Sequence, residues 1–276
     1  MPGMTAFSAN LNKVALLRNT RETGRPDVLA AARACLAAGA HGITVHPRPD
    51  QRHTRPRDVT ELRALTRQQG REFNIEGFPD EAFLALVCAV VPEQCTLVPD
   101  SPTQRTSDHG WDCGVHAETL RRVVGRLRAN RIRVSIFLDP EPAQVALAAA
   151  TGTDRIELYT EPYARAFAGS DRDAVLARYR ATALAAAGAG LGVNAGHDLD
   201  LENLGPFLAT VPDVLEVSIG HALVADALDF GFAGAVERYV RICLGHSNPR
   251  SAWPVTSLPE TSRPQTAATS RPETAE

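Results

Sequence analysis

Two side chains capable of proton transfer each close a short apolar run: His46 at the end of Gly42-Ile43-Thr44-Val45-His46, and Glu76 at the end of Asn74-Ile75-Glu76. An imidazole and a carboxylate brought to one place form an acid and base pair. A third such group, His197, ends Val193-Asn194-Ala195-Gly196-His197. His46, Glu76 and His197 could also hold a metal, but no HxxxH or HExxH spacing supports it, and no metal is expected. Gly196-His197 and Gly220-His221 place a glycine where the backbone can approach an anion, as phosphate sites require. Arg18, Arg21, Arg48 and His53 fall in polar stretches that could clamp a second phosphate. Lys13 is the only lysine beside 28 arginines, and it alone offers either a compact cation or an amine able to form an imine.

The elements that must position these groups recur as strand then helix. Eight buried-strand patterns run over Phe7 to Leu11, Gly42 to His46, Glu72 to Glu76, Gln94 to Pro99, Arg133 to Asp139, Arg155 to Tyr159, Gly192 to Ala195 and Leu215 to Ile219. Segments with helical spacing separate them: Asp27 to Ala38, Asp58 to Gln69, Asp80 to Val91, Val115 to Asn130, Pro142 to Ala150, Arg172 to Ala187 and Leu201 to Thr210. A last helix is expected from His221 to Leu244. Asp58, Asp80 and Asp171 fit helix starts, and Gly39 and Gly188 fit left-handed helix ends. Eight such alternations predict an α/β protein of the (β/α)8 TIM-barrel class, one domain over 1–245, with a Pro/Ser/Thr-rich tail over 246–276 that is expected to be disordered. In a barrel the C-terminal strand ends face the active site, which places Asn10, Asn12, Lys13, His46, Arg48, Glu76, Asp139, Glu157, His197 and His221 at one mouth.

The totals agree with a small-molecule enzyme. A net charge of -3 without a basic stripe argues against nucleic acid, and five cysteines without a CxxC pair argue against a disulfide frame. The N-terminal residues carry no signal-peptide pattern, and no apolar run approaches the ~18 residues of a membrane span. A soluble, cytoplasmic protein is expected.

Taken together, Gly42-Ile43-Thr44-Val45-His46, Arg52-His53, Asn74-Ile75-Glu76, Leu97-Val98-Pro99, Val193-Asn194-Ala195-Gly196-His197 and Ile219-Gly220-His221 resemble the pyridoxine 5'-phosphate synthase family, in the same order from about Ala9 to Leu244. The resemblance implies a barrel with additional short helices, assembled as a homo-octamer. It implies condensation of 3-amino-2-oxopropyl phosphate with 1-deoxy-D-xylulose 5-phosphate, without a cofactor. It makes His46 and Glu76 proton acceptors and His197 a proton donor. Asn10, Arg21, Gly220 and His221 would hold the amino-ketone phosphate, and Arg48, His53 and Thr106 the deoxyxylulose phosphate.

The chain departs from the family pattern twice. Asn12-Lys13 stands where the family usually has Asp-His, and Asp198 where a glycine commonly follows the histidine. Both positions are expected to touch substrate, with Lys13 retaining phosphate binding as a cation and the Asp198 side chain capping the helix that follows. Two other functions fit the same residues: a Lys13-dependent aldolase or lyase on a related ketose phosphate, and a phosphometabolite-binding protein without catalysis.

Overall fold

The computed structural model describes residues 3–100, 104, 106–245 and 247–248. Eight parallel strands close into a barrel: β1 (Ala6–Asn10), β2 (Gly42–Val45), β3 (Glu72–Gly77), β4 (Gln94–Leu97), β5 (Arg133–Leu138), β6 (Arg155–Tyr159), β7 (Gly192–Gly196) and β8 (Val214–Ile219). Each pairs with the next, and β1 closes on β8 in the register Ala6 to Glu216 through Ala9 to Ile219. Among the described residues ten helices surround it: α1 (Asn12–Asn19), α2 (Val28–Ala37), α3 (Pro56–Gln68), α4 (Glu81–Val90), α5 (Ala117–Ala129), α6 (Pro142–Ala150), α7 (Glu161–Ala166), α8 (Arg172–Gly188), α9 (Leu204–Thr210) and α10 (His221–Gly245). Gly3–Met4 pairs antiparallel with Ser247–Asn248. The expected tail otherwise lies outside the described residues. Among the described residues no helix is long and apolar enough to cross a membrane.

Successive strand side chains point to opposite faces, and here the two faces differ in polarity. Phe7, Ala9, Ile43, Val45, Phe73, Ile75, Val134, Ile136, Ile156, Leu158 and Val217 belong to the buried core between barrel and helices. The alternate residues point inward and are mostly polar, with Phe137 and Tyr159 forming a separate apolar pair. Gln94 reaches across the lumen to Glu216 at 3.2 Å and accepts from Asn194 at 3.2 Å, while Arg155 meets Glu216 at 3.4 Å. Thr96 donates to Glu157 at 3.2 Å, and Ser8 and Thr44 share a 2.7 Å hydrogen bond. Barrel interiors are usually filled with branched apolar residues. A lumen of ionisable side chains is tolerated only where they satisfy one another.

Several boundaries differ from expectation. Arg18 lies on α1 rather than in a loop, because Asn12 begins a helix directly after β1. Its guanidinium grips Asp58 of α3 through both carboxylate oxygens, and Nη2 also donates to the His53 carbonyl at 3.2 Å, so it clamps chain and not phosphate. Asp80 caps α4 through the Phe83 N–H at 2.8 Å, and Asp58 accepts the Arg55 N–H in the first turn of α3. Asp171 precedes α8 without a capping hydrogen bond. Gly39 is left-handed as expected, but the left-handed residue after α8 is Gly190, since Gly188 is still helical. The last helix is broken at Gly231 (φ 69°).

Candidate active site

Twelve of the thirteen residues expected at the site line one cavity of about 350 Å³ at the C-terminal mouth of the barrel: Asn10, Asn12, Lys13, His46, Arg48, His53, Glu76, Thr106, His197, Asp198, Gly220 and His221. Arg21 does not join them. It follows the end of α1 and lies in a separate surface depression with Thr20, Glu22 and Arg55. Asp139 also stays out, because the chain at Gly110 packs onto the end of β5 so closely that a Cβ there would lie 2.2 Å from the Asp139 nitrogen. Glu157, Arg52, Ser107 and Ser218 line the cavity too, although only Glu157 had been placed at the mouth and none had been assigned a role. A carboxylate between apolar residues, Ile156-Glu157-Leu158, is the available signal.

The strand ends build the floor. Asn10 donates to Glu76 at 3.4 Å, and a Cβ on Gly220 would stand 3.1 Å from the Asn10 side chain, so that glycine makes room for it. A Cβ on Gly196 would likewise stand 2.4 Å from Glu157 Oε1. Asn12 accepts the His46 N–H at 2.8 Å and the Thr54 hydroxyl at 3.1 Å, tying the start of α1 to the loop after β2. Arg48 forms a buried ion pair with Asp100 and donates to the Gln104 carbonyl at 3.0 Å, and Arg52 donates to the same carbonyl. These two guanidiniums thereby hold the chain after β4 against the cavity.

His197 and Asp198 are successive left-handed residues, with φ of 88° and 59°. The Thr160 hydroxyl donates to the carbonyls of Gly196, at 2.7 Å, and His197, which pins this turn. His197 Nε2 lies 2.8 Å from the Thr106 hydroxyl, its Nδ1 lies 2.9 Å from Asp198 Oδ2, and its ring meets the Tyr159 ring at 5.1 Å. Asp198 does not cap the following helix as expected. α9 starts from Asn203 without a side-chain cap, and Asp200 holds the turn before it, accepting the N–H groups of Glu202 (2.9 Å) and Asn203 (2.8 Å).

The electrostatics invert the usual protonation states. Burial, with Arg48, His53 and Arg52 around it, drives His46 well below the ordinary histidine range, so it is neutral at pH 7. His53 is pushed down to about 4 by burial and the same arginines. Glu76 is raised well above the carboxylate range by burial and then by Glu157, and Glu157 is itself pushed up to about 8 by burial and Glu216. Neutral imidazoles beside carboxyls that carry protons suit several proton transfers near neutral pH. Among the described residues no group of three or more His, Cys, Asp or Glu could hold a metal ion.

Comparison with known proteins shows the family of the chain. Residues 7–244 match the family described as pyridoxal phosphate biosynthesis protein PdxJ. A pyridoxine 5'-phosphate synthase of Xanthomonas axonopodis pv. citri is 54% identical over 245 residues, spanning 86% of this chain and 96% of that protein. One from Chelativorans sp. is 52% identical over 242 residues, spanning 86% of this chain and 98% of that protein. Among solved structures, tryptophan synthase from M. tuberculosis aligns with a TM-score of 0.60 at 14% identity, covering 88% of this chain and 94% of that one. Thiamine phosphate pyrophosphorylase from Pyrococcus furiosus aligns with 0.53 at 16% identity, covering 87% and 95%. The last two are likenesses of fold alone.

Proposed function

The chain belongs to the PdxJ family of pyridoxal phosphate biosynthesis proteins, and from that premise we propose that it is a pyridoxine 5'-phosphate synthase, joining 3-amino-2-oxopropyl phosphate to 1-deoxy-D-xylulose 5-phosphate with loss of phosphate and water. The observation that carries the reading is the convergence of His46, Glu76 and His197 on one cavity walled by candidate phosphate-holding groups. Asn10, Gly220 and His221, around β1 and β8, would hold the amino-ketone phosphate. Arg48, His53 and Thr106, after β2 and β4, would hold the other substrate, with Lys13 as an added cation. Arg21 would have to move to reach a substrate in this cavity.

Ring closure requires an amine to add to a ketone, a carbon acid to lose a proton, and oxygens to leave. Neutral His46 is available to accept protons. Glu76, protonated when the cavity is empty, gives its proton up readily once a cation approaches, and the ionised carboxylate then accepts one. His197 serves the leaving oxygen as proton donor. Two held phosphates restrict how the reacting carbons meet. The reaction so read uses no cofactor, and the homo-octamer and cytoplasmic location expected from the resemblance belong to the same proposal. Phosphate release tests it: release only when both substrates are present is the expected result, and release from either alone, or none, would contradict it.

The presence of Lys13 in the cavity supports one rival, an imine-forming lyase. Borohydride trapping with the ketose phosphate distinguishes it: a labelled Lys13 favours the lyase, and an unlabelled chain the synthase.

A further inference from the structure

Asp198 occupies a position that is costly for it. Left-handed backbone is free of strain only for glycine, and an aspartate is tolerated there at some expense. The helix that follows gives nothing in return through the side chain, since α9 starts without a side-chain cap and Asp198 contributes only its carbonyl, to Asn203 Nδ2 at 3.1 Å. The carboxylate is instead turned back onto His197 Nδ1 at 2.9 Å. That hydrogen bond, with the nearby His197 and His221 rings and the Lys13 ammonium, outweighs burial and holds the Asp198 carboxyl below its ordinary value, so it is an anion at neutral pH. An ionised carboxylate only accepts, so the shared hydrogen sits on Nδ1. The rest of the ring is met by Tyr159 at its edge and by the Thr106 hydroxyl at Nε2.

We infer that Asp198 is a positioning residue for His197: by accepting the Nδ1 hydrogen it fixes the ring so that Nε2 is the nitrogen that takes a proton from substrate and, as imidazolium, hands it to the leaving oxygen, with Thr106 as its partner until substrate arrives. A carboxylate behind an imidazole sets the tautomer in the same way in the triads of acyl transfer.

The inference rests on the synthase reading for its kinetic arm and is independent of it in its spectroscopic arm. Asp198→Asn and Asp198→Gly both suit the left-handed backbone and should fold. Two-bond proton–nitrogen correlation spectra recorded across pH, with His197 assigned by its loss in His197→Gln, should show the hydrogen of the deprotonated His197 ring on Nδ1 in the parent. In Asp198→Asn, whose amide can donate to Nδ1, it should move to Nε2. The same variant should lower kcat by at least about tenfold, within the ~10²–10⁴-fold that loss of the acid itself costs, while KM moves by less than about twofold. An unchanged tautomer, or a raised KM with unchanged kcat, would overturn the inference. A parent without turnover but with the expected tautomer shift would sink the synthase reading and leave this one standing.

Discussion

Glu76 and Glu157 titrate inside one low-dielectric lumen, so the last proton is shared between them more than it belongs to either. Glu157 makes this measurable. Its folded value is about 8 against an ordinary 4.5. Between those values the folded chain keeps a proton that the unfolded chain has lost, so this group makes stability fall as pH rises through that window. Glu157→Gln should remove that slope, so chemical denaturation at the two ends of the window should show the variant gaining on the parent toward the alkaline end. An equal pH slope in both proteins would mean that Glu157 is ionised in the fold. The same sharing explains how one cavity can present a protonated carboxyl and a neutral imidazole together, which separate groups in water would not do at neutral pH.

At the scale of elements, the site depends on α1 being held to α3. Arg18 and Asp58 have only 12% and 8% of their side chains exposed, and Asp58 also accepts the Arg55 N–H. Asp58→Ala would strand a half-buried guanidinium and should cost about 3 kcal/mol in urea unfolding. It should also raise KM, because Arg18 and Asn19 hold the His53 carbonyl from α1. A loss below about 0.5 kcal/mol would mark the pair as a solvent-screened contact. Most strands were readable from sequence because their outward residues are apolar and turn residues bound them. α1 was not, since it starts without a side-chain cap directly after β1 and carries Arg18 and Asn19 in its last turn. His46, Glu76 and His197 were legible because they end strands. Asp139 read the same way and was misplaced, because the covering of β5 by the chain near Gly110 is a tertiary event with no local pattern. The Asp198 hydrogen bond to His197 depends on two successive left-handed residues, which nothing in a His-Asp dipeptide announces.

The whole molecule buries histidines that must stay neutral. His41 accepts the Phe7 N–H at 3.1 Å on Nδ1, and both His41 and His53 are pushed down to about 4, chiefly by burial. Unfolded, each titrates near 6.5. Between these values the unfolded chain binds the extra protons, so stability falls as pH drops through that interval. His41→Gln, which removes the proton-binding ring, should flatten this acid loss in thermal unfolding, and a variant as acid-sensitive as the parent would show that His41 is not a source of it. A closed barrel with every strand paired supplies the rigid frame on which these buried groups can be held away from water.

The central claim is that His46, Glu76 and His197 perform ring closure in one cavity. The most direct measurement incubates the purified chain with 3-amino-2-oxopropyl phosphate and 1-deoxy-D-xylulose 5-phosphate and follows pyridoxine 5'-phosphate by mass spectrometry, beside Glu76→Gln and His197→Asn of unchanged melting behaviour. Product from the parent and a rate lower by about 10²–10⁴-fold in each variant are the expected result. No product from a parent that binds both substrates, or undiminished product from both variants, would contradict it.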